Sequence, residues 1–162
     1  MASAEGDVEG RRVIIGETSA AAAFWLWSFT VLLFLRVVGQ VVVVLFAPRW
    51  LPPMEQWHSG LLPYPLLLTG QIAVLTTMVL IAIDFSRGDG YFLRRHPRGD
   101  RIVLWFSYVY FIAMILRYAI RMITRPDQQW LGGTIPIVFH CVVAAFLWTY
   151  ASYQLRRTAA SK

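Results

Sequence analysis

The sequence predicts an all-α integral membrane protein: a bundle of four transmembrane helices, with the N-terminus and the C-terminus on the cytoplasmic side. Three observations predict it. First, four apolar stretches, at about residues 20–46, 61–85, 102–124 and 133–153, are each long enough to cross a hydrocarbon core about 30 Å thick. Second, 57% of the 162 residues are hydrophobic and only 15% are charged, against about 25% in a soluble domain. Third, the Lys and Arg residues outside those stretches are divided ten to two between alternate connections. In short loops that bias places the basic side in the cytoplasm.

Before the first span, Met1 to Ser19 is polar and mixed in sign, with Glu5, Asp7, Glu9, Arg11, Arg12 and Glu17. It reads as a mostly disordered cytoplasmic tail. A signal peptide is disfavoured, because the apolar stretch that follows is too long and no small-residue cleavage site ends it.

The first span carries Phe24, Trp25 and Trp27 near its start, where an interfacial aromatic belt belongs. Arg36 and Gln40 lie past its midpoint, one helical turn apart on one face, with Gly39 between them to permit close helix approach. The first loop, Ala47 to Gly60, is stopped by prolines and holds Trp50 and Trp57 at interfacial positions. Pro63 and Pro65 open the second span, where a missing N–H costs little. Tyr64 and Gln71 are seven apart and share a face, and Asp84 closes the span.

Ser86 to Arg101 is a basic, glycine-rich loop with Arg-Gly-Asp at 87–89 and again at 98–100, read here as turn chemistry. Its arginines set topology, with anionic headgroup binding as an addition. The third span, Ile102 to Thr124, is aromatic throughout yet contains Arg117 and Arg121. After a tight loop, Arg125 to Gly132, the fourth span carries Pro136 in its first turn and His140 about two turns in, followed by a basic tail from Gln154 to Lys162. One membrane domain, residues 1–162, accounts for the whole chain.

The polar residues inside the spans fall at one depth. With alternating direction and about 1.5 Å rise per residue, Arg36, Gln40, Tyr64, Gln71, Arg117, Tyr118, Arg121 and His140 all lie in the outer half of the bilayer. The layer holds three arginines and no Asp or Glu. Buried cations need anions or carbonyls. Glu55 and Asp127 on the outer loops are the nearest acids, and either can cap Arg121 more easily than Arg36. The remaining anion is then expected from a lipid-soluble ligand: a phosphate, a carboxylate or a polarised quinone oxygen. Arginine's planar fork suits such groups.

Plainer readings stand beside these. Arg121 and Arg117 can snorkel to outer headgroups, and Gln40 and Gln71 can be interhelical hydrogen bonds with no ligand involved. His140 is either a packing residue, an acid/base or, less readily without a second buried histidine, a haem ligand.

Several function classes are excluded or disfavoured. With a charge of +6, nucleic acid would be considered for a soluble chain, but here the basic residues sit between apolar segments, so membrane lipids are the expected partners. The lone Cys141 permits no intrachain disulfide and no Cys-x-x-Cys redox pair, and no metal-binding cluster is evident. Paired intramembrane carboxylates, as a proton relay would need, are missing from the sequence. The expected function is a non-catalytic accessory or lipophilic-ligand-binding protein of a bacterial plasma membrane, associated with other membrane subunits or with copies of itself. The alternative is a small membrane enzyme or redox protein, acting on an anionic lipid or quinone, with His140 as its catalytic residue.

Overall fold

The computed structural model describes residues 2–46, 63–94, 96–124 and 134–159, with side chains from 19 onward but not at 134. It is all-helical: α1 (Ala2–Phe46), α2 (Tyr64–Arg87), a single 3-10 turn (Tyr91–Leu93), α3 (Pro97–Thr124) and α4 (Thr134–Ala159). Each of the four long helices contains a segment long and apolar enough to span a membrane: Ser19–Phe46, Tyr64–Arg87, Pro97–Thr124 and Ile135–Ala159. The chain is therefore that of an integral membrane protein.

One expectation is corrected. The polar N-terminal stretch is not a disordered tail; its backbone is helical from Ala2 and runs without a break into the first span. The stretch contains no proline. A helix nucleated in the span extends residue by residue, without a second nucleation cost.

The ends of α2 follow from local sequence. Pro63 and Pro65 start it, and the Leu67 N–H donates to the Pro63 carbonyl at 3.1 Å. Gly88 ends it with φ 75° in the left-handed region, its N–H donating to the Asp84 carbonyl at 3.0 Å. Hydroxyls within the helices bond their own backbone, as Thr30 does to the Leu26 carbonyl at 2.7 Å and Thr76 to the Ile72 carbonyl at 2.8 Å. Such back-bonding leaves no free hydroxyl proton to face hydrocarbon.

The closest packing runs in the order α2, α1, α4, α3: α1 lies against both α2 and α4, and α3 lies against α4. Small residues permit the close approaches, with Ala22, Ala82, Ala144 and Ala151 all buried. The core gathers around Leu26, Leu33, Met78, Ile81, Phe85 and Phe146. It lies where the C-terminal parts of α2 and α4 meet the early part of the apolar segment of α1. Phe85 is its centre, with the rings of Tyr150 and Tyr153 at 5.8 and 5.0 Å.

The 86–101 connection is held at this same end. The Asp84 carboxylate accepts from the Phe92 N–H at 3.0 Å, which folds the chain back over the end of α2. Gly90 (φ 130°) passes so close that any Cβ there would overlap that carboxylate. The Phe92 carbonyl then accepts from Tyr150 Oη and Gln154 Nε2, and the Leu93 carbonyl from Arg157. Trp27 Nε1 donates to Ser86 Oγ at 2.8 Å, tying α1 to the same place. Gln154, placed in the C-terminal tail by the sequence reading, thus lies in the last turns of α4 and is buried.

Much of the outward surface along the helices is apolar. Along α3, Ile102, Trp105, Val109, Ile112 and Ile123 are each more than 60% exposed. A surface of this kind is suited to lipid and not to water.

Candidate functional site

At the other end of the molecule, where α1 finishes and α2 and α4 begin, the helices part around a cleft of about 290 Å³. All four contribute to its wall. Leu33 and Arg36 come from α1, Gly70, Gln71 and Val74 from α2, Tyr110 from α3, and Phe139, His140 and Val143 from α4.

Arg36 is 6% exposed, and its guanidinium carbon lies 5.4 Å from the centre of the Phe139 ring. A desolvated arginine over an aromatic face gains about 2 kcal/mol from the ring quadrupole. The contact also joins α1 to α4. One turn further along α1, Gln40 is completely buried and accepts a hydrogen bond from Gln71 Nε2 at 3.0 Å. This bond joins α1 to α2.

The amide pair is only half satisfied. Gln40 Nε2 and Gln71 Oε1 are buried and have no hydrogen-bond partner among the described residues. Reversing both amides would exchange the atoms, but one donor and one acceptor would still remain. Left unpaired in an apolar setting, each costs about 1–3 kcal/mol.

On α4, His140 Nδ1 is hydrogen-bonded to the Pro136 carbonyl one turn back. A carbonyl only accepts, so Nδ1 carries a proton, and in the neutral form of the ring the lone pair is on Nε2. The ring of Tyr110 lies 5.9 Å from that of His140, bringing α3 to the site.

Of the residues singled out in the sequence, the structure brings Arg36, Gln71 and His140 to one cleft, with Gln40 hydrogen-bonded at its edge. Arg117 is exposed on α3 and is not in the cleft wall. Tyr64, in the first turn of α2, and Arg121, half-buried in the last turn of α3, are not in the cleft wall. The proposed acidic caps, Glu55 and Asp127, and the interfacial Trp50 and Trp57 lie outside the described residues. Sequence reasoning missed Tyr110, which resembled any other aromatic residue of a membrane span. Its spacing of seven residues from Arg117 was the available signal, since it places both on one face of α3.

Among the described residues, no group of three His, Cys, Asp or Glu side chains converges to hold a metal ion. Compared with known proteins, the chain matches no protein-family model, no curated protein and no solved structure.

The arrangement can therefore do three things chemically. It can hold a negative or strongly polarised oxygen with Arg36. It can offer one further donor and one further acceptor from the glutamine pair. It can accept a proton at His140 Nε2.

Proposed function

We propose that this chain is a four-helix bundle in a bacterial plasma membrane, with both termini cytoplasmic, and that its outer-half cleft binds a lipid-soluble ligand through a polar head. The observation that carries the reading is the convergence of Arg36, Gln71, Tyr110 and His140, from four different helices, on one cleft. Helix packing alone would be better served by apolar residues there, because buried charge is expensive in a membrane. The head is an anionic or polarised oxygen group, such as a phosphate, a carboxylate or a quinone carbonyl. Arginine and amide donors recognise all three. The packing order leaves α2 and α3 as the two ends of the row, so the cleft between them gives the ligand a lateral path from the bilayer. In this reading the protein is a non-catalytic accessory subunit.

A second reading is favoured by one observation, the lone pair that the Pro136 contact leaves on His140 Nε2. Beside a bound head, that nitrogen is a general base, and the protein is a small membrane enzyme or redox protein.

Native mass spectrometry of the protein in mild detergent tests the first reading. The parent should retain a specific lipid or quinone mass, and Arg36→Leu should lose it. A parent that is clean of ligand, or a mass unchanged in Arg36→Leu, would overturn the cleft as a binding site. His140→Ala separates the two readings: it should leave the ligand bound if the protein is a carrier or accessory, and abolish turnover with the ligand still bound if it is an enzyme.

A further inference from the structure

The first two turns and the middle of α3 carry a second, larger concavity, about 700 Å³, on the opposite end of the molecule from the cleft. It is lined by Arg98, Arg101, Ile102, Trp105, Phe106 and Val109, with Pro97 at its head. These positions recur every three or four residues, so they form one face of a helix. Among the described residues no other helix covers that face: Ile102 is 69%, Trp105 67%, Phe106 55% and Val109 61% exposed.

The chemistry of the face changes sharply along the axis. Two arginines, both exposed, sit at the helix N-terminus, one turn apart. Below them come only apolar and aromatic side chains. From Arg101 to Val109 the rise is about 12 Å. The acid nearest in sequence, Asp100, does not oppose the arginines from within the groove; it is 3% exposed and absent from the groove wall. Arg87 and Arg94, with a single exposed acid between them, Asp89, lie on the connection that leads into this turn. The rim is therefore positive, its sign reinforced by the amide end of the helix dipole.

We infer that this groove is a binding site for an anionic phospholipid, with the phosphate held between Arg98 and Arg101 and an acyl chain laid along Ile102, Trp105, Phe106 and Val109. The inference rests on α3 spanning a membrane and on nothing in the cleft. Charge complementarity selects an anionic head, because a zwitterionic lipid brings its own cation to the same rim. The apolar wall selects a lipid over a free phosphate. The ten-to-two division of basic residues puts this end of α3 at the cytoplasmic surface, where anionic lipid attracts basic residues. A second observation agrees with the placement: the connection before α3 is pinned by the Asp84–Phe92 and Gln154–Phe92 hydrogen bonds, so the arginines emerge from a fixed base.

The experiment is a lipid titration of the delipidated full-length protein by native mass spectrometry, using phosphatidylglycerol, phosphatidylcholine of the same acyl chains, and glycerol phosphate. Phosphatidylglycerol should bind well above phosphatidylcholine, and glycerol phosphate should not compete. Each arginine near an anionic surface contributes about fivefold, so Arg98→Gln with Arg101→Gln should lower the phosphatidylglycerol affinity by about 25-fold. Trp105→Ala should weaken both lipids and leave their ratio unchanged, and it reads the site even where the double variant fails to fold. Arg36→Leu should leave the part of the binding that depends on Arg98 and Arg101 unchanged. Equal binding of the two lipids, full competition by glycerol phosphate, or an undiminished affinity in the arginine variants would overturn the proposal. Loss of the Arg98- and Arg101-dependent binding in Arg36→Leu would assign that lipid to the cleft and overturn the proposal as well.

Discussion

The two ends of the molecule handle polar groups in opposite ways. Where α2 and α4 finish, the chain answers its own polarity. The Phe92 N–H goes to Asp84, the Phe92 carbonyl takes Tyr150 and Gln154, Leu93 takes Arg157, and Trp27 reaches Ser86. The rings of Phe85, Tyr150 and Tyr153 close over this network. Where α2 and α4 begin, the reverse holds. The Gln40–Gln71 pair shares one bond and leaves a donor and an acceptor over. His140 uses one nitrogen and presents the other, and the space beside them stays open. Polarity that is closed on itself builds a fold. Polarity that is left open in an apolar setting costs stability, and such costs concentrate where something binds. Asp100 is the exception at the tied end, with Oδ2 buried and unpartnered among the described residues.

The sharpest way to break the comparison is at the centre of the tied end. Phe85 is 2% exposed, and Phe85→Ala should cost about 3–5 kcal/mol of unfolding free energy, the range for a large core residue. Steric-trapping or thermal unfolding in mixed micelles would read it. A loss below about 1 kcal/mol would mean that the core lies elsewhere and that the two ends do not differ in kind.

A pair of glycines sharpens it further. Gly90→Ala drives a Cβ into the Asp84 carboxylate at a φ that L-residues avoid, and should cost about 1–3 kcal/mol. Gly70 lies mid-helix in the cleft wall with nothing near its missing Cβ. Gly70→Ala should therefore be neutral or stabilising by about 0.5–1 kcal/mol, while narrowing the cleft. The same substitution would thus lower melting temperature at one end and not at the other. Equal losses at both would show the cleft to be as tightly packed as the base.

The smallest effect expected is at the amide pair. A double-mutant cycle of Gln40→Leu and Gln71→Leu should give a coupling of only about 0.6 kcal/mol, typical of interhelical hydrogen bonds in membranes. A coupling near 2 kcal/mol would mark the pair as fully satisfied structural glue and would remove it from the proposed ligand site.

How much of this was legible in the sequence depended on distance along the chain. Arg36, Gln40, Gln71 and His140 stand out because a polar residue in a twenty-residue apolar stretch is costly whatever the fold, and depth follows from counting along each helix. Tyr64 and Arg121 share that depth by counting but line no part of the cleft, since counting fixes height and not which helices enclose it. Tyr110 was hidden because an aromatic residue costs nothing in a span. The tied end was hidden for another reason: Phe92 meets Tyr150 and Gln154 across 58 and 62 residues, and no local pattern announces such a pairing. At the N-terminus the composition misled, because mixed charge argues for disorder only where no established helix stands ready to be extended.

The sequence alone determined that four helices of membrane-spanning length form and which of their residues are expensive to bury. Both properties are one-dimensional: a run of apolar side chains satisfies its backbone within itself, and a charge in that run has the same penalty in any packing. Only the tertiary structure decided which penalties are met within the chain and which are left open. That depends on the order α2, α1, α4, α3 in space, which brings Gln154 against Phe92 at one end and holds α2 from α3 at the other.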